Sequence, residues 1–325
     1  MKTRVAVIYG GRSGEHEISL RSAKSIIEAL DPERYHVLHY VISKEGRWSP
    51  KPIQPEPGAN AHIDVAFPIL HGTFGEDGTV QGLLELADLP YVGPGVFASS
   101  AAMDKDALKR LCIERGLPVV EWVTLSRTHL DTTGIEARFG FPVFVKPANL
   151  GSSVGISKAR NAEELDAALK LAAQFDRKII VERAILGREL ECAVLGNEEP
   201  QASLPCEILP SKEFYDYEDK YLLDKAQCVV PAELPPATTA ELRSIAVEAY
   251  KAVQCEGMSR VDFLLETATG KLYINEINTI PGFTSISMFP KMWEHSGLPM
   301  PKLVDKLLEL AIDRHKARRA LRYSI

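Results

Sequence analysis

Arg260-Val261-Asp262-Phe263-Leu264-Leu265-Glu266 and, after a short turn, Tyr273-Ile274-Asn275-Glu276-Ile277-Asn278-Thr279-Ile280-Pro281-Gly282 form the stretch on which the fold turns. Both halves alternate apolar and polar side chains, the period of a strand with one buried face. Thr267 to Lys271, with Gly270 inside, is long enough to reverse the chain. A hairpin centred near Thr269 sets Asp262 opposite Glu276, with Asn278 and Arg260 on the same face. Two carboxylates, an amide oxygen and a guanidinium then converge, a cluster that a core rejects unless something compensates it. A hard cation does so: Mg²⁺ takes oxygen ligands and shares them with nucleotide phosphates. For any one of these residues a solvated hairpin face is the plainer reading; for the set in this register a metal site is the stronger one. The face is expected to be exposed, so that neutralising Asp262 or Glu276 spares the fold.

Outward from the hairpin, composition sets the frame. The 325 residues give ample core, and 45% hydrophobic with 25% charged residues is ordinary for a soluble globular enzyme. A net charge of −6 and a pI near 5.8 argue against a general nucleic-acid binder but allow a local nucleotide pocket. No apolar run is long enough to span a membrane, and the opening Arg4–Tyr9 run is too short for a signal peptide. The five cysteines (Cys112, Cys192, Cys206, Cys228 and Cys255) lack C-x-x-C spacing and read as reduced core thiols.

Strand–helix–strand order near the N-terminus suggests a parallel sheet: strands at 4–9, Tyr35–Ile42 and Val65–Leu70, and an amphipathic helix over Ser19–Leu30. Domain limits are expected at 1–97 (α/β substrate domain), 98–186 and 187–325. The middle block holds a helix with Lys105, strands Phe141–Lys146 and Lys178–Glu182, and a helix Ala162–Gln174. The last holds the strand Leu190–Leu195, a polar-aromatic stretch Pro205–Pro236, a helix Ala240–Val253, the hairpin and a helix Lys302–His315. The basic tail with Arg314, Lys316, Arg318 and Arg319 reads as a solvated helix end.

Four further segments carry chemistry. Lys146 closes a strand just before Gly151-Ser152-Ser153-Val154-Gly155, a nest of amides and hydroxyls with a point charge beside it, suited to a polyphosphate; a simple turn is an equal reading. Gly10-Gly11-Arg12-Ser13-Gly14 is not a dinucleotide fingerprint, and Glu15 puts a negative charge where a pyrophosphate would sit, so a substrate ammonium suits it better. His71-Gly72-Thr73-Phe74-Gly75-Glu76-Asp77 reads as a functional loop with exposed His, Glu and Asp. Lys212–Gln227, with Phe214-Tyr215-Asp216-Tyr217 and Lys220-Tyr221, lacks periodicity and reads as a lid. Glu182, at a strand end, could accept from an adenine amino group or a ribose hydroxyl.

Together with Met103-Asp104-Lys105, Asn275-Glu276-Ile277-Asn278 and Pro281-Gly282, these motifs resemble the D-alanine–D-alanine ligase family of ATP-grasp enzymes, over residues 4 to about 312. The resemblance implies an α/β ATP-grasp fold behind an N-terminal parallel-sheet domain, and a homodimer in the cytoplasm acting in peptidoglycan precursor synthesis. It implies ATP and two Mg²⁺, with Mn²⁺ able to substitute, and two molecules of D-alanine. Asp262, Glu276 and Asn278 are then the metal ligands. Lys105 and Lys146 hold phosphates, with Ser153 and Lys220 beside them, and Glu182, Arg183, Ile185 and Glu189 bind adenine and ribose. Glu15 holds the first ammonium, locked by Ser152 and Tyr221, and His71 lies near the first carboxylate. Arg260 and the Gly282 amide stabilise the oxyanion, and Ser287 with Met288 receives the second D-alanine. The nearest competitor is a ligase that makes D-alanyl-D-lactate or uses another amine; Tyr221 favours the dipeptide, since depsipeptide-forming relatives tend to lose it. A degenerate nucleotide-binding protein and a nicotinamide oxidoreductase are weaker competitors, opposed by the full ligand set and the missing glycine fingerprint.

Overall fold

In the computed structural model, residues 1–151, 154–209 and 227–322 are described. Their strands fall into three sheets. The first holds β1 (Thr3–Gly10), β2 (Tyr35–Ile42), β3 (Trp48–Ser49) and β4 (Val65–Pro68). β1 lies between β2 and β4 and is parallel to both. Val5 to Ile8 are fully buried, as a parallel central strand covered on both faces requires. β3 adds an antiparallel edge inside a segment without strand periodicity.

The second sheet is antiparallel and contains β5 (Trp122–Ser126), β6 (Val143–Pro147), β7 (Ser157–Ala159) and β8 (Lys178–Arg183), in the order β5-β8-β6-β7. Val143, Val145, Ile179 and Val181 meet Leu165 and Leu169 of the helix Ala162–Ala172 in a core of their own. Asn161 caps that helix by accepting from the Glu164 amide at 2.9 Å.

The third sheet holds β9 (Gly187–Gly196), β10 (Gln201–Ala202), β11 (Cys206–Leu209), β12 (Gln227–Val229), β13 (Gly257–Glu266) and β14 (Leu272–Asn278). β13 lies between β9 and β14, all antiparallel. The helix Pro236–Ala252 covers one face through Leu242, Ala246 and Tyr250. β11 and β12 fall inside the polar-aromatic stretch, where sequence periodicity gave no strand.

The chain ends by returning to its beginning. Phe283, Phe289, Trp293 and Leu303–Ala311 share one core with Val5, Val7, Ile26 and Phe67, and Phe283 meets the Phe67 ring edge-on. The basic tail is a solvated helix end at Lys316, Arg318 and Arg319, which are exposed, but not at Arg314. Arg314 is 5% exposed; its Nη2 donates to the Tyr91 carbonyl at 2.9 Å and its Nη1 to the Gly93 carbonyl, and its guanidinium lies over the Tyr91 ring. Arg318 pairs with Glu85 and Arg319 with Asp88. The helix Met300–Arg319 therefore holds the segment around Tyr91 through buried Arg314, while Arg318 and Arg319 pair with it at the surface.

Candidate active site

The hairpin register is the expected one: Asp262 faces Glu276, and Arg260 faces Asn278. A bulge then follows, so that Phe263 pairs with Ile274 and Asn275 is the extra residue. The bulge keeps Ile274 and Ile277 buried while the two consecutive polar residues Asn275 and Glu276 stay at the surface of the cleft. On the other side Asp262 faces Glu191 of β9. Glu191, Asp262 and Glu276 thus form a row of three carboxylates across adjacent strands, and like charges directly opposite repel. Cations offset the row. Arg260 grips Asp262 with two bonds of 2.7 and 2.6 Å and lies 3.2 Å from Glu191. Lys105 Nζ stands 3.6 Å from Glu276.

Asp262 is not exposed as expected. It is 8% exposed, tied to Arg260 and accepting from Asn278 Nδ2 at 2.9 Å. Among the described residues no three His, Cys, Asp or Glu side chains gather as a metal cage. Two facing carboxylates and an amide oxygen are nonetheless a fitting donor set for Mg²⁺, which is commonly held by one or two carboxylates plus substrate phosphates.

One cavity is lined by Glu15, His71, Glu76, Gly151, Glu191, Arg260, Glu276, Asn278, Gly282, Ser287 and Met288. Glu15 precedes the helix His16–Ala29. Its carboxylate fits against Gly72, where a Cβ would stand 2.5 Å from Oε2 and where φ is +72°; only glycine allows both the turn and the approach. Gly282 likewise lies so close to Ser287 that a Cβ would meet its Oγ at 2.7 Å. Ser287 Oγ accepts from the Thr284 amide at 2.9 Å, which fixes the entry to the helix Met288–His295. His71 is buried, not exposed. Its Nδ1 lies 3.0 Å from the Ile280 carbonyl and its Nε2 3.0 Å from Ser22 Oγ. Burial pushes its pKa down, against the pull of Glu15. The neutral ring then donates to Ile280 and accepts from Ser22, which itself accepts from the Phe283 amide at 3.2 Å. Glu76, whose Oε2 accepts from the Gly72 amide at 2.7 Å, is pushed well up by burial and by Glu15.

A second cavity is lined by Lys105, Lys146, Glu182, Arg183, Ile185, Glu189, Glu191, Asp262, Asn275 and Glu276. The Asp104 side chain caps the helix Lys105–Glu114, so Lys105 projects from its first turn and donates to the Leu150 carbonyl at 2.8 Å. Lys146 bonds Glu182 at 2.6 Å and the bulge residue Asn275 at 3.1 Å. Arg183 turns its guanidinium to Glu266 at 2.7 Å and Tyr273 at 3.3 Å. The two cavities share Glu191 and Glu276.

All the expected site residues among the described ones therefore line one of two adjoining cavities. Ser152, Ser153, Lys220, Tyr221 and the expected lid at 212–227, but for its last residue, lie outside the described residues. Sequence reasoning missed Glu191 and Asn275 and gave Glu76 no role. For Glu191 a signal existed: one acid inside the apolar run Leu190–Leu195.

Family comparison agrees along the chain. A family model described as the D-ala D-ala ligase C-terminus matches residues 111–309, and one described as the D-ala D-ala ligase N-terminus matches residues 4–60 and 51–94. A D-alanine–D-alanine ligase of Solibacter usitatus is 67% identical over 324 residues, covering 100% of both chains. Among solved structures, the D-alanine-D-alanine ligase from Coxiella burnetii aligns with a TM-score of 0.89 at 41% identity, covering 98% of this chain and 96% of that one. A D-Ala:D-Ser ligase from Enterococcus faecalis aligns with a TM-score of 0.88 at 36% identity, covering 96% and 100%.

Proposed function

The chain belongs to the D-alanine–D-alanine ligase family, and on that premise we propose that it joins two D-alanines into D-alanyl-D-alanine with conversion of ATP to ADP and phosphate. The observation that carries this is the meeting of the two cavities at Glu276: an amino-acid pocket and a nucleotide cleft share one wall. A carboxylate is a poor electrophile, so the first D-alanine is phosphorylated at its carboxylate before the second amine attacks the acyl phosphate and expels phosphate. Glu15 holds the first ammonium. Lys105 and Lys146 meet the phosphates, where cations act by positioning and charge neutralisation. Asp262, Glu276 and Asn278 would hold Mg²⁺, which neutralises charge on the transferring phosphoryl group when bound. Arg260 and the Gly282 amide offset the charge that grows on the acyl oxygen as the amine adds. Ser287 and Met288 receive the second D-alanine. Buried His71 sets the geometry between the loop at Gly72 and the Ile280–Phe283 segment. The product is a peptidoglycan precursor made in the cytoplasm, and the active form is a homodimer.

Purified protein given ATP, Mg²⁺ and single D-amino acids tests this. Release of ADP that depends on D-alanine, with D-alanyl-D-alanine found by mass spectrometry, is expected. ATP hydrolysis indifferent to D-alanine, with no dipeptide, would refute it. Adding D-serine or D-lactate in competition separates the dipeptide reading from the other amine and the depsipeptide.

A further inference from the structure

The helix Lys105–Glu114 carries a second lysine one turn beyond Lys105, and the function above leaves it idle. Lys109 is 1% exposed. Its ammonium lies 2.9 Å from Glu182 Oε1 and donates to the Val120 carbonyl at 3.1 Å. Glu182 is 2% exposed, and its other oxygen lies 2.6 Å from Lys146 Nζ. Lys146 in turn donates to Asn275 Oδ1 at 3.1 Å. A polar chain therefore runs from the helix through β8 and β6 to the bulge of the hairpin. Glu182 and Lys146 line the nucleotide cleft and Lys109 does not.

Packing alone does not account for this arrangement. A long apolar side chain would fill the same space without the desolvation that a buried ammonium demands. Charge does account for it. Glu182 and Lys146 by themselves form a neutral pair, with the carboxylate free to draw the ammonium inward. A second cation 2.9 Å from the far oxygen of Glu182 leaves the group with one net positive charge and draws the carboxylate from its other side. The positive end that faces the cleft is then Lys146.

We infer that Lys109 is a positioning residue for the nucleotide: through Glu182 it sets Lys146 at the wall of the cleft as a cation for the phosphates. The inference rests on the nucleotide reading of this cleft. It adds that the affinity for phosphates depends on a side chain that never touches them.

The test is a double-mutant cycle on ADP binding, read by calorimetry, which needs no turnover. Lys109→Met should weaken ADP about tenfold or more and raise the KM for ATP by a like factor, with the KM for D-alanine unchanged. In a Glu182→Gln background the same change should cost less than about twofold, because the carboxylate through which Lys109 acts has lost its charge. Lys109→Arg, which keeps the cation, should recover most of the affinity. Lys109→Gln, which keeps a donor for Val120, replaces the Met variant if that one fails to fold. A thermal midpoint that drops while ADP affinity holds within twofold would show a purely structural lysine and overturn the inference. So would an equal loss in both backgrounds. Absence of ADP binding by the unsubstituted protein would instead refute the nucleotide reading itself.

Discussion

Asp262 and Glu276 face each other across the hairpin, yet their surroundings differ. Asp262 is a buried partner of Arg260 and Asn278. Glu276 keeps a side chain 22% exposed, with Lys105 at 3.6 Å. Neutralising either one should cut turnover by roughly a thousandfold or more, since both are proposed ligands of Mg²⁺ and losing one would remove several kcal/mol of transition-state stabilisation. Stability should separate them. Asp262→Asn breaks two charged hydrogen bonds in a buried setting and should cost about 2–3 kcal/mol; Glu276→Gln should cost less than about 1 kcal/mol. Urea midpoints for both variants, beside turnover at saturating Mg²⁺, decide this, and equal midpoints would show that Asp262 is not held as described. The expectation of a harmless Asp262→Asn came from reading the hairpin alone. Alternation and a short loop gave the register, because both are local. That Glu191 completes the row, and shares Arg260 with Asp262, depends on β9, more than sixty residues upstream of β13. Lys109 was hidden for the same reason: its partner lies on another strand, and a lysine on a helix otherwise reads as a solvated face.

At the scale of elements, long periodic segments were legible and irregular ones were not. The strand Tyr35–Ile42 and the helix near Ala162 stand where their patterns put them, whereas β3, β11 and β12 are two to four residues long and carry too few positions for a period to show. The bulge at Asn275 was invisible because it interrupts the alternation used to find the strand. The ionic link from the helix Lys105–Glu114 to the second sheet, Lys109 to Glu182, has a signature in pH. Burial alone would push the Glu182 carboxyl up, but Lys109 and Lys146 more than offset it and hold it down at about 2, against an ordinary 4.5. A depressed pKa means that the unfolded chain takes up the proton first as pH falls. This contribution is therefore complete above about pH 4.5 and lost towards about pH 2, and it is partly offset because burial pushes the Lys109 ammonium down despite Glu182. Glu182→Gln should be less stable than the unsubstituted protein near pH 6, and its urea midpoint should fall less between about pH 5 and pH 3. Parallel slopes for the two proteins would place the acid sensitivity elsewhere.

Over the whole molecule, connectivity and cores do not run together. The first sheet is closed by the far end of the chain: Phe283, Phe289, Trp293 and Leu303–Ala311 lie in the core of Val5, Val7, Ile26 and Phe67, and Arg314 bonds the carbonyls of Tyr91 and Gly93, which follow the helix Thr79–Leu86. The second sheet, by contrast, completes its core within residues 123–181. Cooperative units follow shared cores, not sequence order. The first sheet, the helices from Met288 to Arg319 and the strands β9, β11 and β13, whose Ala193, Leu195, Ile208 and Met258 lie in the same core, should therefore open together, and the second sheet should open independently of them. Hydrogen exchange in rising urea should give β1, β4 and the helix Met300–Arg319 one common opening free energy, distinct from that of β6 and β8. Arg314→Met removes a buried guanidinium from two carbonyls and should lower that common value by about 2–3 kcal/mol, moving β1 as much as the helix and leaving β6 unchanged. If only the helix loosened while β1 kept its protection, the first sheet would have to hold its core without the chain's end. The contact between the two would then be a surface clasp and not a shared interior.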